Sequence, residues 1–107
     1  MKRSKNEANL ESEADIQRTI LDYLKLHRIF HWRNNSGAIK TGKRFIRYGC
    51  KGSPDIIALH RGQFVGIEVK GPGEDQTEDQ LAFEQCVTKS GNRYIVARSL
   101  EDVERAL

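Results

Sequence analysis

The sequence predicts an α/β domain in which helices flank a mixed central β-sheet. Three observations lead to this fold class. The chain has 107 residues, which suits one domain with one modest core. Apolar residues recur at helical spacing near its start and at strand spacing in its middle. Turn residues separate these segments, so that helix and strand patterns alternate along the chain in the manner of layered α/β proteins.

The first predicted element is a helix that follows a polar segment. Residues 1–10 are polar and are expected to form a flexible tail, which leaves residues 11–107 as a single domain. Ser12 is followed three residues later by Asp15, an arrangement typical of a helix start. Apolar residues then recur at helical spacing, and they predict a helix over about 12–28.

Two short strands are expected after this helix. The sequence IFHW, at residues 29–32, has the composition of a short strand. The sequence RNNSG, at residues 33–37, has the composition of a turn. A basic strand is predicted for KRFIRY at residues 43–48, and a loop for GCKGSP at residues 49–54.

The C-terminal part is expected to contain a helix, a strand and a second helix. Thr77 is predicted to begin the first of these helices, with Gln80 at the position of a capping box. A loop at residues 71–76 is predicted to precede this helix, and the sequence SGN at 90–92 to end it. A strand at 93–97 and a capped terminal helix at 99–107 are expected to follow.

The segment GSPDIIALHRGQFVGIEVKG, residues 52–71, decides the functional interpretation. Arg61 and Gly62 form a typical two-residue hairpin turn. A hairpin centred on this turn places Asp55 opposite Glu68, on the same face of the sheet. A loop of odd length would instead place Asp55 among the apolar residues of the opposite strand, so the pattern favours the first register.

Two carboxylates placed opposite each other need a compensating charge or solvent. At about 5 Å and an effective dielectric constant near 20, they repel each other by roughly 3 kcal/mol. Solvent, a proton, a metal ion or the ammonium group of Lys70, which lies on the same face as Glu68, can offset this repulsion. Carboxylate oxygens of this kind suit Mg²⁺ or Mn²⁺. The alternative is an ion network of Asp55, Glu68 and Lys70 that serves only the fold.

Two further polar residues lie at unusual positions on the predicted helices. Glu13 precedes Ile16 by three residues and therefore extends the apolar stripe of the first helix. Gln80 has the same relation to Phe83 on the next helix. Each position also has a local explanation, which is a favourable charge at a helix N-terminus for Glu13 and the capping box for Gln80.

Charge is distributed unevenly along the chain. The sequence has 18 basic and 15 acidic residues and a net charge of +3. Between Tyr23 and Pro54 there are basic residues and no acidic ones, whereas acidic residues dominate between Glu68 and Glu84. This separation indicates a polyanionic partner beside a cation site. Ordinary surface charge of mixed sign is the alternative.

The ordered set of these residues resembles the motif of the PD-(D/E)XK nucleases. The motif begins with a helical glutamate, continues with G-x-P-D and E-x-K, and ends with a glutamine that opens the next helix. In this chain these positions are Glu13, Gly52-Ser53-Pro54-Asp55, Glu68-Val69-Lys70 and Gln80. Within that superfamily the chain most resembles the VRR-NUC domain in its small stand-alone form, typical of phages and bacteria. The stretches RNNSG, KGSPDII and GIEVKGP carry this comparison, which extends over residues 10–105. The resemblance implies a restriction-endonuclease-like core.

The resemblance also implies a role for each motif residue. Asp55, Glu68 and the carbonyl group of Val69 would hold Mg²⁺ or Mn²⁺, and Glu13 would bind the ion directly or through water. The ion would polarise the scissile phosphate and activate a water molecule. Lys70 would position that water, assist its deprotonation or stabilise the developing charge, and Gln80 would orient Lys70 or the water. One and two metal ions are both compatible with this set.

The basic run would then bind DNA through its phosphates, by shape and not by sequence. The candidate DNA-binding residues are Arg33, Asn34, Lys40, Lys43, Arg44, Arg47, Lys51 and Ser53. Stand-alone relatives resemble Holliday-junction resolvases, which implies a homodimer that cuts branched DNA in repair. A nuclease for flaps or single-strand/duplex boundaries and a non-catalytic DNA-binding module are the alternatives.

The expected location is the cytoplasm of a bacterial or phage-infected cell. Cys50 and Cys86 show no metal-type spacing, and they are expected to be free thiols in a reducing compartment. The sequence contains no apolar run of membrane-spanning length and no recognisable secretory signal.

Overall fold

A computed structural model describes residues 11–107, and the predicted flexible tail at residues 1–10 lies outside the described residues. Within this range the chain forms helices and strands in the alternating order that the sequence predicts. The elements are α1 (Glu13–Leu26), β1 (Phe30–Arg33), β2 (Gly37–Thr41), β3 (Arg44–Tyr48), β4 (Ile56–His60), β5 (Gln63–Val69), α2 (Glu78–Lys89), β6 (Arg93–Ala97) and α3 (Leu100–Ala106).

The central sheet has four strands in the order β1-β4-β5-β6. Strands β1, β4 and β5 are antiparallel neighbours, whereas β6 runs parallel to β5. The sheet is therefore mixed, and the predicted α/β class with a mixed central sheet is confirmed. Strands β2 and β3 form a separate two-stranded hairpin.

The hairpin of β4 and β5 has the predicted turn and register. Arg61 and Gly62 have φ angles of 52° and 79°, as the central residues of a type I′ turn require. The ladder pairs His60 with Gln63, and its last pair at the other end is Ile56 with Ile67. Because the register is kept along the strands, Asp55 and Glu68 are the next two residues beyond that pair.

One face of the sheet carries the apolar core. Ile16, Ile20 and Leu24 line the inner side of α1 and are at most 2% exposed. They pack in one cluster with strand residues of β4, β5 and β6 and with Val103 of α3. In β5 the core residues are Val65, Ile67 and Val69. Because side chains alternate along a strand, Glu68 points to the opposite face.

The starts of the first two helices follow the predicted chemistry. Ser12 Oγ accepts a hydrogen bond of 3.1 Å from the amide of Asp15. Thr77 and Gln80 form the complete capping box at the start of α2. The terminal helix α3 differs from its prediction, because Ser99 occupies the N-cap position without a side-chain capping bond. The carboxylate of Asp102 instead accepts a bond of 2.8 Å from the amide of Arg98.

Strand β2 is an addition to the predicted elements. Between residues 37 and 48 the sequence predicts one strand, at 43–48, and the structure places it at Arg44–Tyr48. Gly37–Thr41 forms its antiparallel partner, which was not predicted. Every residue of both strands is exposed. Strand β3 was predicted because it contains Phe45, Ile46 and Tyr48, which favour strands, whereas β2 has only Ile39 among small and polar residues.

Cys50 and Cys86 are exposed free thiols. In the part of the chain that the structure describes, no helix combines the length and the apolar composition that crossing a membrane requires.

Candidate active site

Asp55 is held in place immediately before strand β4. Its carboxylate atom Oδ2 accepts a hydrogen bond of 2.8 Å from the amide of Val69 on β5. Its own carbonyl accepts one of 2.7 Å from the amide of Asn34. The preceding Pro54 is buried against Gly66, where an added Cβ atom would lie 2.9 Å from the proline ring. The segment before Asp55 is therefore fixed by the neighbouring strand.

Glu68 is a buried acid on the sheet face that points away from the apolar core. It is 3% exposed. Its Oε2 atom accepts a hydrogen bond of 2.9 Å from Nε2 of Gln80 and lies 3.7 Å from Nζ of Lys70. Its Oε1 atom is buried and has no hydrogen-bond partner among the described residues. A buried carboxylate oxygen without a partner is costly, and it suits a position where a cation binds.

The electrostatics of Glu68 reflect this burial. Burial, and next the negative charge of Asp55, raise the pKa of Glu68 from 4.5 to about 8, although the positive charge of Lys70 acts in the opposite direction. The register of β4 and β5 places Asp55 beside Glu68, and a hydrogen bond shared between the two carboxyl groups also contributes to the raised pKa of Glu68. Lys70 is 11% exposed at its side chain, so its ammonium group belongs to the same enclosed site.

Gln80 forms the predicted capping box and also reaches the site, where it contacts Glu68 and not Lys70. Its Oε1 atom accepts a hydrogen bond of 2.9 Å from the amide of Thr77 and completes the capping box. Its Nε2 group donates to Glu68. One amide side chain thus connects the start of α2 to the buried acid, because its acceptor and donor ends point in different directions.

Glu13 reaches the same site from the start of α1, although it is exposed. The pKa of Glu13 is raised, first by a hydrogen bond shared with the carboxyl group of Glu74, then by partial burial and by the negative charges of Glu74 and Asp55. A Cβ atom at Gly71 would lie 3.2 Å from Glu74 Oε1 and 3.9 Å from Glu13 Cβ. Gly71 therefore lies between the two acids.

The loop after β5 brings in an acid that the sequence analysis missed. Glu74 Oε1 accepts a hydrogen bond of 2.7 Å from the amide of Gly71, and Arg98 donates one of 3.0 Å to the carbonyl of the same residue. These contacts fix the turn that carries Glu74 beside Glu13. The signal in the sequence was an acidic residue four positions after Lys70, at the same end of the sheet.

Tyr94 on β6 is a second residue near the site that was not predicted. Its hydroxyl group is buried. Burial, followed by the negative charge of Glu68, raises the pKa of this hydroxyl far above its ordinary value of 10.0. Tyr94 pairs with Gly66 on β5, two residues before Glu68 and on the same face of the sheet.

Two of the predicted DNA-binding residues have inward contacts. Asn34 donates hydrogen bonds of 2.7 Å to Ser53 Oγ and 3.0 Å to the carbonyl of Pro54. Ser53 is 9% exposed. Both residues therefore hold the segment that leads to Asp55, and DNA contact by either stays a prediction.

The remaining predicted DNA-binding residues are exposed and lie along one part of the chain. Arg33 ends β1, four of the others belong to the β2–β3 hairpin and its turn, and Lys51 lies in the loop before Ser53. Lys40 Nζ lies 6.0 Å from the ring centre of Phe45, and Lys51 Nζ lies 3.4 Å from Asp79 Oδ2. The hairpin members are Lys40, Lys43, Arg44 and Arg47.

Comparison with known proteins does not assign this chain to a family. No protein-family model and no curated protein was found to match this chain. The resemblance to the PD-(D/E)XK nucleases therefore stays a prediction that rests on the motif residues and their spacing.

The donor set of the site fits a hard divalent cation. Among residues 11–107, no three side chains of Asp, Glu, His or Cys are grouped closely enough to be identified as a metal site. The unpartnered Oε1 of Glu68, beside the charge of Asp55, nevertheless offers carboxylate oxygen of the kind that Mg²⁺ and Mn²⁺ prefer. The structure therefore brings together Asp55, Glu68, Lys70 and Gln80, with Glu13 at the rim.

Proposed function

We propose that this protein is a Mg²⁺- or Mn²⁺-dependent endonuclease that hydrolyses phosphodiester bonds in branched DNA, with four-way junctions as its substrate and a restriction-endonuclease-like core. One observation carries the proposal. Asp55 and Glu68 come together beside Lys70, and Glu68 presents a buried oxygen without a partner in the described part of the chain. A proton shared with Asp55 can satisfy that oxygen, but a divalent cation in its place would satisfy both carboxylates at once.

Each residue of the site has a task in this proposal. Asp55 and Glu68 would hold the cation, with the Val69 carbonyl and Glu13 as further ligands. When bound, a divalent cation supplies Lewis-acid activation of the phosphate and of a water molecule. Lys70, enclosed beside Glu68, stabilises negative charge that develops on the phosphate or assists removal of a proton from water. Gln80 keeps Glu68 in position through its hydrogen bond.

A DNA-binding module without catalysis is the rival from another functional class. Binding alone does not require acids next to a phosphate backbone, since carboxylates repel phosphates. The enclosed pair of acids therefore favours an enzyme that uses a cation to bring DNA to this place. The exposed basic hairpin supplies the attraction for DNA that either function requires.

The test of the proposal is a cleavage assay with labelled DNA. We expect the protein to cut a four-way junction in Mg²⁺ or Mn²⁺, to cut linear duplex of the same sequence far more slowly, and to stop when EDTA is added. A flap substrate in the same assay distinguishes the rival nuclease. Absence of cleavage on all three substrates in both metals, by protein that binds DNA, would favour the non-catalytic module.

We further expect a homodimer, because a two-fold assembly presents two active sites to paired strands of a junction. Large apolar side chains on β1, β4 and the β2–β3 hairpin are exposed, as at protein interfaces. The measurement is the molar mass in solution by light scattering after size exclusion. A mass equal to one chain would remove paired cutting and leave single-strand cleavage. The exposed residues are Phe30, Trp32, Ile39, Phe45, Ile46, Tyr48 and Leu59.

A further inference from the structure

A small cavity lies between the end of the β2–β3 hairpin and the loop that leads to Asp55. Its volume is about 120 Å³, well below the roughly 300–1,000 Å³ of pockets for drug-sized ligands. Its side chains are hydrogen-bond donors and no acidic residue lines it. These side chains belong to Ser36, Arg47, Tyr48 and Lys51. A cavity of this size with two cationic groups and two hydroxyl groups suits a small anion.

The backbone that forms the walls of this cavity is closely packed. Gly49 has a φ angle of 74°, and a Cβ atom there would lie 2.4 Å from the carbonyl oxygen of Asn35. Gly52 has a φ angle of 79°, and a Cβ atom there would lie 2.3 Å from the carbonyl oxygen of Asp79. Only glycine fits such positions. The cavity opens to the surface, and two of its walls are backbone segments held in fixed contact.

The cavity is adjacent to the candidate active site. Gly52 precedes Asp55 by three residues, so their Cα atoms are at most about 11 Å apart. Gly52 also packs on Asp79, whose neighbour Gln80 binds Glu68. Nucleotides of one DNA strand are spaced by about 3.4 Å along the helix axis. One strand can therefore reach the acids and the cavity with phosphates only a few nucleotides apart.

We propose that this cavity binds a single phosphate group of a nucleic acid strand, a few nucleotides from the phosphodiester at the active site. The inference rests on the proposed function and adds a defined phosphate subsite to it. Arg47 can donate two hydrogen bonds to phosphate oxygens, and Lys51 adds a point charge. Lys51 Nζ lies 3.4 Å from Asp79 Oδ2, and because the lysine side chain remains 63% exposed, its ammonium group is also open to a phosphate.

The first test uses inorganic phosphate alone, so it does not depend on cleavage. Isotope-labelled protein is titrated with inorganic phosphate at constant ionic strength, and the amide resonances of Gly49 and Gly52 are followed. We expect saturable shifts at both glycines in the wild type and their loss in Arg47→Gln. Lys89→Gln is the matched control, because it also removes one positive charge but at the other end of α2. That position is roughly 15 Å along the helix from Asp79, the residue of α2 that packs on Gly52 beside the cavity.

The second test measures affinity for a four-way junction in EDTA, where no cutting occurs. Loss of a charge-assisted contact in Arg47→Gln should weaken binding roughly tenfold to a hundredfold. Lys89→Gln should weaken it far less. Gly37→Ala changes no charge, but its Cβ atom would lie 2.9 Å from the Tyr48 hydroxyl, so it must displace that group. We expect a loss of roughly twofold to tenfold, the effect of one neutral hydrogen bond.

A comparison of oligonucleotides distinguishes the two sources of a phosphate group. A 5′-phosphorylated single strand that binds several-fold more tightly than its 5′-hydroxyl counterpart indicates a terminal phosphate. Equal affinity, with the loss in Arg47→Gln retained, indicates an internal phosphodiester. The subsite is supported only if the glycine shifts saturate and Arg47→Gln weakens DNA binding more than Lys89→Gln. Failure of either result overturns it.

These outcomes are separate from the fate of the nuclease proposal. A protein that meets both criteria and cuts none of the DNA substrates keeps the subsite and loses the catalytic function. A metal-dependent nuclease in which Arg47→Gln and Lys89→Gln bind DNA equally well keeps the catalytic function and loses the subsite. Thermal unfolding of each variant shows whether a loss of binding comes from a loss of fold.

Discussion

Asp55→Asn is expected to abolish metal-dependent cutting of a four-way junction while junction binding in EDTA is retained. Asparagine has the size of aspartate, and its amide oxygen can still accept the 2.8 Å hydrogen bond from the Val69 amide. The substitution removes the negative charge and replaces one ligand oxygen with an NH₂ group. Loss of an outer-shell partner already costs a metal site about 10–100-fold, so we expect loss of a ligand to lower the cleavage rate by more than about a hundredfold.

The stability of Asp55→Asn distinguishes a catalytic defect from a folding defect. The charge of Asp55 opposes ionisation of Glu68, so its removal should leave the metal-free protein at least as stable as the wild type near neutral pH. Less activity with equal or greater thermal stability is therefore the expected combination. Asp22→Asn is the matched control, because it makes the same chemical change at an exposed position of α1. Cleavage by Asp55→Asn at the wild-type rate would contradict the proposed site.

Lys70→Ala provides a second test of the same site. The Lys70 ammonium group is enclosed and lies 3.7 Å from Glu68 Oε2. If it stabilises charge or moves a proton in the reaction, its removal should reduce cleavage by about 10²–10⁴-fold. Junction binding, which the proposal assigns to the exposed basic hairpin, should change little. Full activity in this variant would assign Lys70 to the fold alone.

The stability of the metal-free protein is expected to fall as the pH rises from about 5 to 9, and Glu68→Gln should flatten this profile. The pKa of Glu68 is raised in the folded protein from 4.5 to about 8. The unfolded chain therefore releases this proton near pH 4.5, whereas the folded protein keeps it until about pH 8. Stabilisation from the protonated side chain is fully present below 4.5 and is lost as the pH rises through 8.

The size of this effect makes it measurable. One pKa unit corresponds to about 1.4 kcal/mol, so complete loss amounts to at most about 5 kcal/mol. This is a large share of a typical domain stability of about 5–15 kcal/mol. The measurement is the free energy of unfolding in urea, with EDTA, at a series of pH values for the wild type and Glu68→Gln. Glutamine can still accept the hydrogen bond from Gln80, so the variant should fold.

Addition of Mg²⁺ provides the complementary result. A cation that binds ionised Glu68 in the folded state alone stabilises that state, and it should raise the free energy of unfolding most at pH 8 and above. In Glu68→Gln the increase should be much smaller. Parallel pH profiles for the two proteins, with no effect of Mg²⁺ on either, would mean that Glu68 is neither strained by burial nor a cation ligand.

Much of the fold was predictable because it depends on local chemistry. The Arg61-Gly62 turn accepts positive φ angles, and a two-residue turn leaves one register for β4 and β5. Thr77 with Gln80, and Ser12 with Asp15, are capping pairs within one helical turn. The strand at Arg93–Ala97 is flanked by a turn on one side and a helix start on the other. In each case the residues that decide the structure are close together in the chain.

Strand β2 and the start of α3 were not predicted correctly, because their local sequences do not specify one structure. β2 has one large apolar residue, Ile39, among small and polar ones, so neither composition nor periodicity marks it as a strand. Ser99 has the composition of a capping residue, but the observed bond runs from the Arg98 amide to Asp102. Several geometries satisfy the same short polar sequence at a helix start, and the packing of α3 on the sheet selects among them.

The sequence was sufficient to predict a cluster of polar groups at one end of a hairpin. Strand alternation and turn length place Asp55, Glu68 and Lys70 on one face, and the helical positions of Glu13 and Gln80 add these two residues to the cluster. Three-dimensional packing alone could decide how those groups are satisfied. It buries Glu68 with one oxygen free of partners in residues 11–107, brings Glu74 beside Glu13 and closes a cavity against Gly49 and Gly52. These features depend on contacts between segments far apart in the chain and on the burial that those contacts produce. The spacing of residues in the sequence does not reveal either.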